Sequence, residues 1–563
     1  MNNHNFIVAV LLSLAILVGF HYAYEKPRME AYQQQLALKK VAAMTKPDVA
    51  VVAQTPRDRA AIIGETPRLG IQTPELHGSI NLKGGRIDDL TLANYHETTE
   101  AGSPEITLLS PAGSIAPHQA YFAEFGWLGS DVVVPDANTV WRSDNKQLSP
   151  KQPVKLTWDN GKGLLFERTI AVDDRFMFTV TDNVKNNGTG TVTLYPFGLI
   201  ARHGKPQTSD LYIMHEGPIG ALGGQLVEYK YKDVVIAKKA AESQGGWLGI
   251  TDKYWLMALV PAQDEKITAT FTYDRGAEAR LDQGVFQSDF RGTPVSLAAG
   301  AVAEHTQRFF AGAKRLRVLD DYADQYNIPL FYDAIDFGWY YFLTKPFLSL
   351  LDFLGQTFGS FGLAILAFTV LLKLVTFPLS LKSYRSMAKM RLLAPQMKAL
   401  QERFGEDKQR LQMETFELYK REKVNPMSGC LPMLIQIPVF FSLYKVLYVG
   451  IELRHAPFYG WIKDMSAPDP TSVLTLFGMV DWAFIPHLGV WPILMGLSMF
   501  IQQRLSPQPP DKTQAMVFMF LPIMFTFMMG SMAAGLIIYW TWSNLLGIAQ
   551  QWFIMRRVGE RKA

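Results

Sequence analysis

Apolar runs of bilayer length constrain this chain more than any other feature. A helix needs about 20 consecutive apolar residues to cross the hydrocarbon layer. Asn5 to Tyr24 ("NFIVAVLLSLAILVGFHYAY") is one such run. Five more are read at about 360–381, 429–449, 489–503 with flanks, 515–530 and 533–554. The last two come from one stretch too long for a single helix, which "MGSMAAG" at 529–535 offers to break. Residues 472–488 read as a loop with interfacial pieces, interrupted by Asp481 and Pro486 and ending beside Gly489. For the first run a cleaved signal peptide is the competing reading. No Lys or Arg precedes the run and no clear A-x-A site follows it, so a retained anchor at 1–24 is expected. The fold class expected is an α-helical polytopic membrane protein of six spans carrying a separate all-β domain.

Charge sets the expected orientation. The loop 382–424 holds eleven Lys/Arg against six Asp/Glu, and the tail 558–563 continues the basic run "RRVGERK". Lys/Arg-rich loops stay on the cytoplasmic side. Four spans separate loop from tail, so both are expected in the cytoplasm. Residues 25–360 then lie outside, and the N-terminus is cytoplasmic.

Within that outer segment, 25–65 reads as a polar linker, helical at first and then flexible. From 66 to 317 short alternating runs are punctuated by turn residues. Examples are "ELHGSINL", "KGG", "RIDDLTL", and "GLLFERTIAV", "DD", "RFMFTVTDNV", "KNNGTG", "TVTLYPF". This is the pattern of a β-sandwich. It serves either as a folded spacer or as a sugar- or peptide-binding module, although no convergent polar cluster is visible. Residues 318–359 are aromatic-rich and amphipathic, the pattern either of a helix lying in the outer membrane–water interface or of a segment on which the sandwich simply packs. The remainder, 360–557, is the apolar core.

Composition excludes several classes. A net charge of +4 over 563 residues gives no global nucleic-acid field. The single Cys430 forms no internal disulfide, and the ten histidines make no HExxH or paired CxxC pattern. No catalytic constellation, metal site or cofactor is expected.

One residue stands out within "LAFTVLLKLVTFPLSL" at 366–381. Lys373 has no acidic neighbour in the stretch, and the next charge, Lys382, is nine residues or about 13 Å of helix away. A charge at that depth costs roughly 2.5–3.5 kcal/mol on insertion scales and usually faces a bundle interior or a wet cavity. Thr369 lies one turn before it on the same face. Gln436 in the next span, and Asn544 and Gln550 in the last, could share its cavity; each alone is as readily a helix–helix hydrogen bond. The Met-rich fifth span (Met516, Met519, Met524, Met528, Met529, Met532) is expected as a group to face it with an adaptable apolar surface, while any single one of them reads more readily as an ordinary lipid-facing or core methionine.

The loop 382–424 has helical spacing on both sides of "FGED". Met387, Met390, Leu393, Met397 and Leu400 precede it, and Leu411, Phe416 and Leu418 follow. An αα-hairpin with a basic outer face is expected. It is either a solvated cap or a docking site for an acidic partner, ribosomal RNA or anionic lipid.

Several long segments resemble one family: "SYRSMAKMRLLAPQMKALQERFGEDKQ", "EKVNPMSGCLPMLIQIPVFFSLYKVL", "ELRHAPF", "GLIIYWTWSNLLGIAQQ" and "GGRIDDLTL". They are similar to the bacterial YidC insertases of the YidC/Oxa/Alb family, in the Gram-negative form with a large periplasmic domain. The resemblance implies a five-helix core with a hydrophilic groove open to cytoplasm and lipid, and a periplasmic supersandwich of the galactose-mutarotase type. It implies no enzymatic activity. The implied partners are nascent membrane proteins, the Sec translocon, the ribosome with the signal recognition particle or its receptor, and the lipid bilayer. Groove residues would be Lys373, Thr369, Gln436, Tyr539, Trp540 and Asn544. Cytoplasmic docking residues would be Tyr384, Arg385, Met387, Lys389, Met390 and Arg391. At Lys373 the family more commonly has arginine, which unlike lysine stays charged when buried. A secondary transporter binding an anion at Lys373 and a non-catalytic assembly scaffold are the rival classes. The first lacks an inverted repeat, and the second needs no buried charge.

Overall fold

The computed structural model describes residues 57–129, 132–208, 214–275, 284–405, 407–422, 424, 431–475, 488–505 and 512–560. The expected anchor at 1–24, the linker as far as residue 56, Cys430, residues 476–487 and the end of the basic tail lie outside them. The chain forms two compact units that meet in sequence at Ala334 and Ile335.

The first unit is a two-sheet sandwich. One sheet of 11 strands runs, in spatial order, through Lys239–Gln244, Lys266–Asp274, Val285–Arg291, Val192–His203, Tyr121–Leu128, Arg86–His96, Leu76–Asn81, Arg68–Gln72 and Gln147–Leu148. Strands Val295–Leu297 and Glu105–Leu109 pair off this path. The second sheet, of nine strands, centres on Trp255–Val260, Val302–Ala313, Met177–Asn186 and Leu164–Val172. Burial along Leu164–Val172 alternates strictly, as a strand with one face on a core requires.

Arg168 joins the sheets from inside. Its Nε donates to Asp182 Oδ1 at 2.7 Å, and its two Nη groups donate to the carbonyls of Phe125 (2.6 Å) and Gly85 (3.2 Å) on the opposite sheet. Gly85 has φ 62°, and a Cβ there would lie 2.9 Å from Trp141 Nε1 and 3.0 Å from Arg168 Nη1. The glycines of "GGRIDDL" thus permit both the turn and the approach of the buried guanidinium.

Helices α1 (Arg59–Glu65), α2 (Tyr231–Ile236) and α3 (Leu316–Tyr326) belong to this unit. Two boundaries shift from those expected. Residues 57–65, expected in the linker, fold onto the sheet: Ile62 is buried, Arg59 pairs with Asp89, and Arg57 N bonds the Gly113 carbonyl. Residues 318–334, expected in the interfacial region, also belong to the sandwich. α3 buries Leu316, Val318, Leu319 and Tyr322, and Phe331 stands edge-on to Trp247 and Phe310.

The second unit is helical. It comprises α4 (Tyr341–Phe358), α5 (Phe361–Val375), α6 (Phe377–Leu392), α7 (Ala394–Phe404), α8 (Lys408–Arg421), α9 (Leu431–Val449), α10 (Val490–Leu505), α11 (Lys512–Met529) and α12 (Ala534–Glu560). Among the described residues no single helix is long and apolar enough to cross a membrane, but the pair α5 and α6 passes together with a 66° bend. α4 buries Leu348, Leu351 and Leu354 against α5 and α9 while Trp339, Tyr341, Phe342, Phe353 and Phe358 stay exposed. The break expected at 529–535 falls between α11 and α12.

Asp469, fully buried, fixes one end of the unit. Its Oδ1 accepts from Trp461 Nε1 (3.0 Å), Thr471 N (3.0 Å) and Thr471 Oγ1 (2.7 Å), and its Oδ2 from Trp491 N (2.9 Å). A carboxylate at the first turn of α10 meets the free N–H groups there. The same segment serves α12, where Ala534 N and Gly535 N donate to the carbonyls of Ala467 and Met465.

Candidate functional site

The 360–381 run was expected as one span, but it bends at Thr376. Pro378 sits at the start of α6 and has no N–H for the carbonyl four residues earlier, so the helix cannot continue straight. Lys373 therefore stands in the last turn of α5 rather than mid-helix. A cation there faces the negative end of the helix, which lowers the cost reckoned for a charge with apolar helix on both sides. Among the described residues none forms a salt bridge or hydrogen bond with it.

In front of Lys373 lies a cavity of about 380 Å³, lined by all six expected groove residues. Each arrives from its own helix geometry. Thr369 comes one turn before Lys373, and its hydroxyl donates to the Ile365 carbonyl at 2.6 Å. Gln436 of α9 donates from Nε2 to Tyr539 Oη of α12 at 2.6 Å. Trp540 stands edge-on to Phe440 with centroids 4.6 Å apart. Asn544 donates from Nδ2 to Ser498 Oγ of α10 at 2.9 Å. Thr369, Tyr539 and Asn544 thus already have partners, while Lys373 is open toward the cavity.

The sequence reading missed part of the wall. Ser380, Gln502, Gln503, Ser543 and Gln551 also line the cavity. Gln551 shares the face of Trp540 and Asn544, at steps of four and seven, which helical spacing could have revealed. Gln550, expected there, is not among the lining residues. The methionine expectation also needs correction. α11 contributes Phe518, Leu521 and Pro522 to the cavity, while Met516, Met519, Met524 and Met528 are exposed elsewhere on it. The six methionines do not share one helical face, and the face that meets the cavity carries Phe518, Leu521 and Pro522 instead. Met529 instead packs with Met495 and Ile537 in a buried layer that abuts the cavity through Met499 and Trp540.

A second intramembrane-type cation was not singled out. Lys445 of α9 is buried and pairs with Asp336 at 2.9 Å. It is neutralised where Lys373 is not.

The expected docking residues divide. Arg385, Lys389 and Arg391 are exposed. Tyr384 and Met387 are buried against Ile554 of α12, with Met390 partly covered. The stretch 377–392 is therefore a wall of the bundle, and the free αα-hairpin is α7 with α8. Phe416 and Met413 are exposed on α8, so the apolar stripe is covered only in part.

A large β unit followed by a helical unit with a charge-bearing cavity defines a two-part protein. Two family models also divide the chain into an N-terminal and a C-terminal part, with the boundary inside α4. A YidC periplasmic domain model matches residues 68–350, and a 60Kd inner membrane protein model matches residues 353–561. A membrane protein insertase YidC from Methylobacterium radiotolerans is 48% identical over 595 residues, covering 99% of this chain and 95% of that protein. One from Sinorhizobium fredii is 46% identical over 581 residues, covering 99% and 96%. A crystal structure of an active YidC insertase with the first transmembrane domain resolved aligns at 16% identity and TM-score 0.37, over 86% of this chain and 91% of that one. The chain belongs to the YidC family of membrane protein insertases.

Proposed function

We propose that this protein inserts nascent proteins into the bacterial inner membrane, with its β unit in the periplasm and both termini in the cytoplasm. The observation that carries the mechanism is Lys373, a cation open to a largely apolar cavity into which a few amides and hydroxyls also reach. A polar or acidic segment of a substrate enters the cavity. Lys373 gives it an opposite charge, and the amides and hydroxyls of Gln502, Ser543 and Gln551 replace part of its hydration. The segment then avoids bare hydrocarbon, where unsatisfied polar groups cost several kcal/mol each. The apolar helix that follows moves into lipid, driven by burial of its surface. A membrane potential adds about 2.3 kcal/mol per negative charge per 100 mV for acidic segments moving outward.

Helices α9, α10, α11 and α12 are read as spans of this core, with α5 and α6 together as one bent span. The exposed basic groups of α6 to α8 suit an acidic or RNA partner on the cytoplasmic side, which supports reading the ribosome and its targeting factors as partners. Cooperation with the Sec translocon is part of the same proposal and is supported by family membership alone. The test is depletion of the protein followed by protease protection of a small membrane protein. Loss of protection supports the reading, and unchanged insertion removes it.

A further inference from the structure

Helix α11 walls the cavity and carries Pro522 in its interior. Proline has no N–H, so the Phe518 carbonyl four residues earlier loses its helical donor. Gln503 of α10 fills that place, donating from Nε2 to the Phe518 carbonyl. At the other end of the same helix pair the contact is steric: a Cβ on Gly496 would lie 1.9 Å from Thr526 Oγ1. Thr526 itself donates to the Pro522 carbonyl at 2.8 Å. Among the described residues, α11 thus meets α10 through a tight contact on one side of its proline and through the Gln503 side-chain hydrogen bond on the other. Gln503 also lines the cavity.

We infer that Gln503 is a latch that holds the Lys512–Leu521 half of α11 against the cavity, with Pro522 as its hinge and Gly496–Thr526 as the fixed point. The inference rests on the insertase reading for its purpose. A polar substrate segment beside Lys373 competes for the Gln503 amide, frees the Phe518 carbonyl and lets that half of α11 swing outward. Arrival of the polar segment then opens the wall through which the apolar helix leaves. Gln503 is a positioning residue in this scheme, acting through α11.

Spin-label distances in the purified full chain in lipid nanodiscs test this, with Cys430 replaced by serine. Met516→Cys with Ile501→Cys reports the latched half, and Phe527→Cys with Leu494→Cys reports the fixed half; all four positions are exposed. Gln503→Leu keeps the side-chain size and removes the donor. It should raise the long-distance population of the 516–501 pair about fivefold, the worth of one net hydrogen bond, and leave the 527–494 pair unchanged. Pro522→Ala, which restores the helical donor, should abolish the effect of Gln503→Leu. A synthetic peptide with three aspartates before about 20 apolar residues should lengthen the 516–501 distance in the unlatched direction without any mutation. An unchanged 516–501 distance in Gln503→Leu, an equal change in both pairs, or no response to the peptide would each overturn the latch. Because distances are read without insertion, failure of the latch is separable from failure of the insertase reading, which the protease-protection assay tests.

Discussion

Replacing Asp469 with alanine removes a fully buried carboxylate that satisfies four donors, two of them backbone N–H groups. Thr471 Oγ1 can find another acceptor by rotating, but Trp461 Nε1, Thr471 N and Trp491 N are left without theirs. Hydrogen bonds to a charged group are worth about 1.5–3 kcal/mol each, and loss of a helix cap costs about 0.5–2. These terms overlap at one site, so the expected loss is about 3–5 kcal/mol rather than their sum. Asp469→Asn keeps one acceptor oxygen but points an NH₂ at either Trp491 N or the Trp461–Thr471 donors. Its loss should be roughly half as large. Gly489→Ala reaches the same site by another route, because its Cβ would lie 2.6 Å from Asp469 Cβ and Cγ. The assay is reversible unfolding in mixed micelles titrated with denaturing detergent, followed by tryptophan fluorescence. The reasoning fails if Asp469→Ala stays within about 1 kcal/mol of the parent, below the worth of even one charged hydrogen bond.

Deleting 394–421 should leave the helical unit assembled and weaken ribosome binding, whereas deleting from 384 should also disrupt assembly, because Tyr384 and Met387 pack on Ile554; size-exclusion profiles and ribosome co-sedimentation separate the two. Arg168→Met should destabilise the sandwich by about 3–5 kcal/mol by leaving Asp182 charged and unpaired, and Arg168→Met with Asp182→Leu should recover most of it in urea unfolding. Burial, aided by the Arg86 guanidinium, lowers the His203 pKa from 6.5 to about 4. The unfolded chain therefore binds the extra proton first as pH falls. This contribution to stability is complete above about 6.5, is lost between there and about 4, and amounts to about 3 kcal/mol. His203→Phe should flatten the pH dependence of unfolding over that window.

The sandwich was legible because alternation and turn residues act locally. Strands Leu164–Val172, Met177–Asn186 and Val192–His203 fall where the runs and turns placed them. The co-location of Lys373, Gln436 and Asn544 was legible too, since polar residues in apolar helices have few other places to face. The bend at Thr376 was written in Pro378, but the apolar run through it was read as one helix. What periodicity cannot say is which neighbour covers a stripe. Met387 and Met390 recur at helical spacing whether they meet solvent, a partner or Ile554, and only the position of α12 decides. The sandwich boundaries moved for the same reason: Ile62 and Leu319 look like ordinary amphipathic helix residues until a sheet lies beneath them.

The role assigned to Lys373 is tested most directly by one substrate made in two forms, with its translocated acidic residues kept or neutralised, inserted by the parent and by Lys373→Leu. A cation about 4 Å from a carboxylate in a medium of effective dielectric 20 interacts by about 4 kcal/mol before desolvation is counted. The account therefore predicts that the leucine variant inserts the acidic form at least about tenfold less well, 1.4 kcal/mol being tenfold. It should handle the neutral form within about twofold, and Lys373→Arg should match the parent on both. Equal insertion of the two forms by Lys373→Leu and the parent would contradict it, and would leave Lys373 a structural residue at the end of α5.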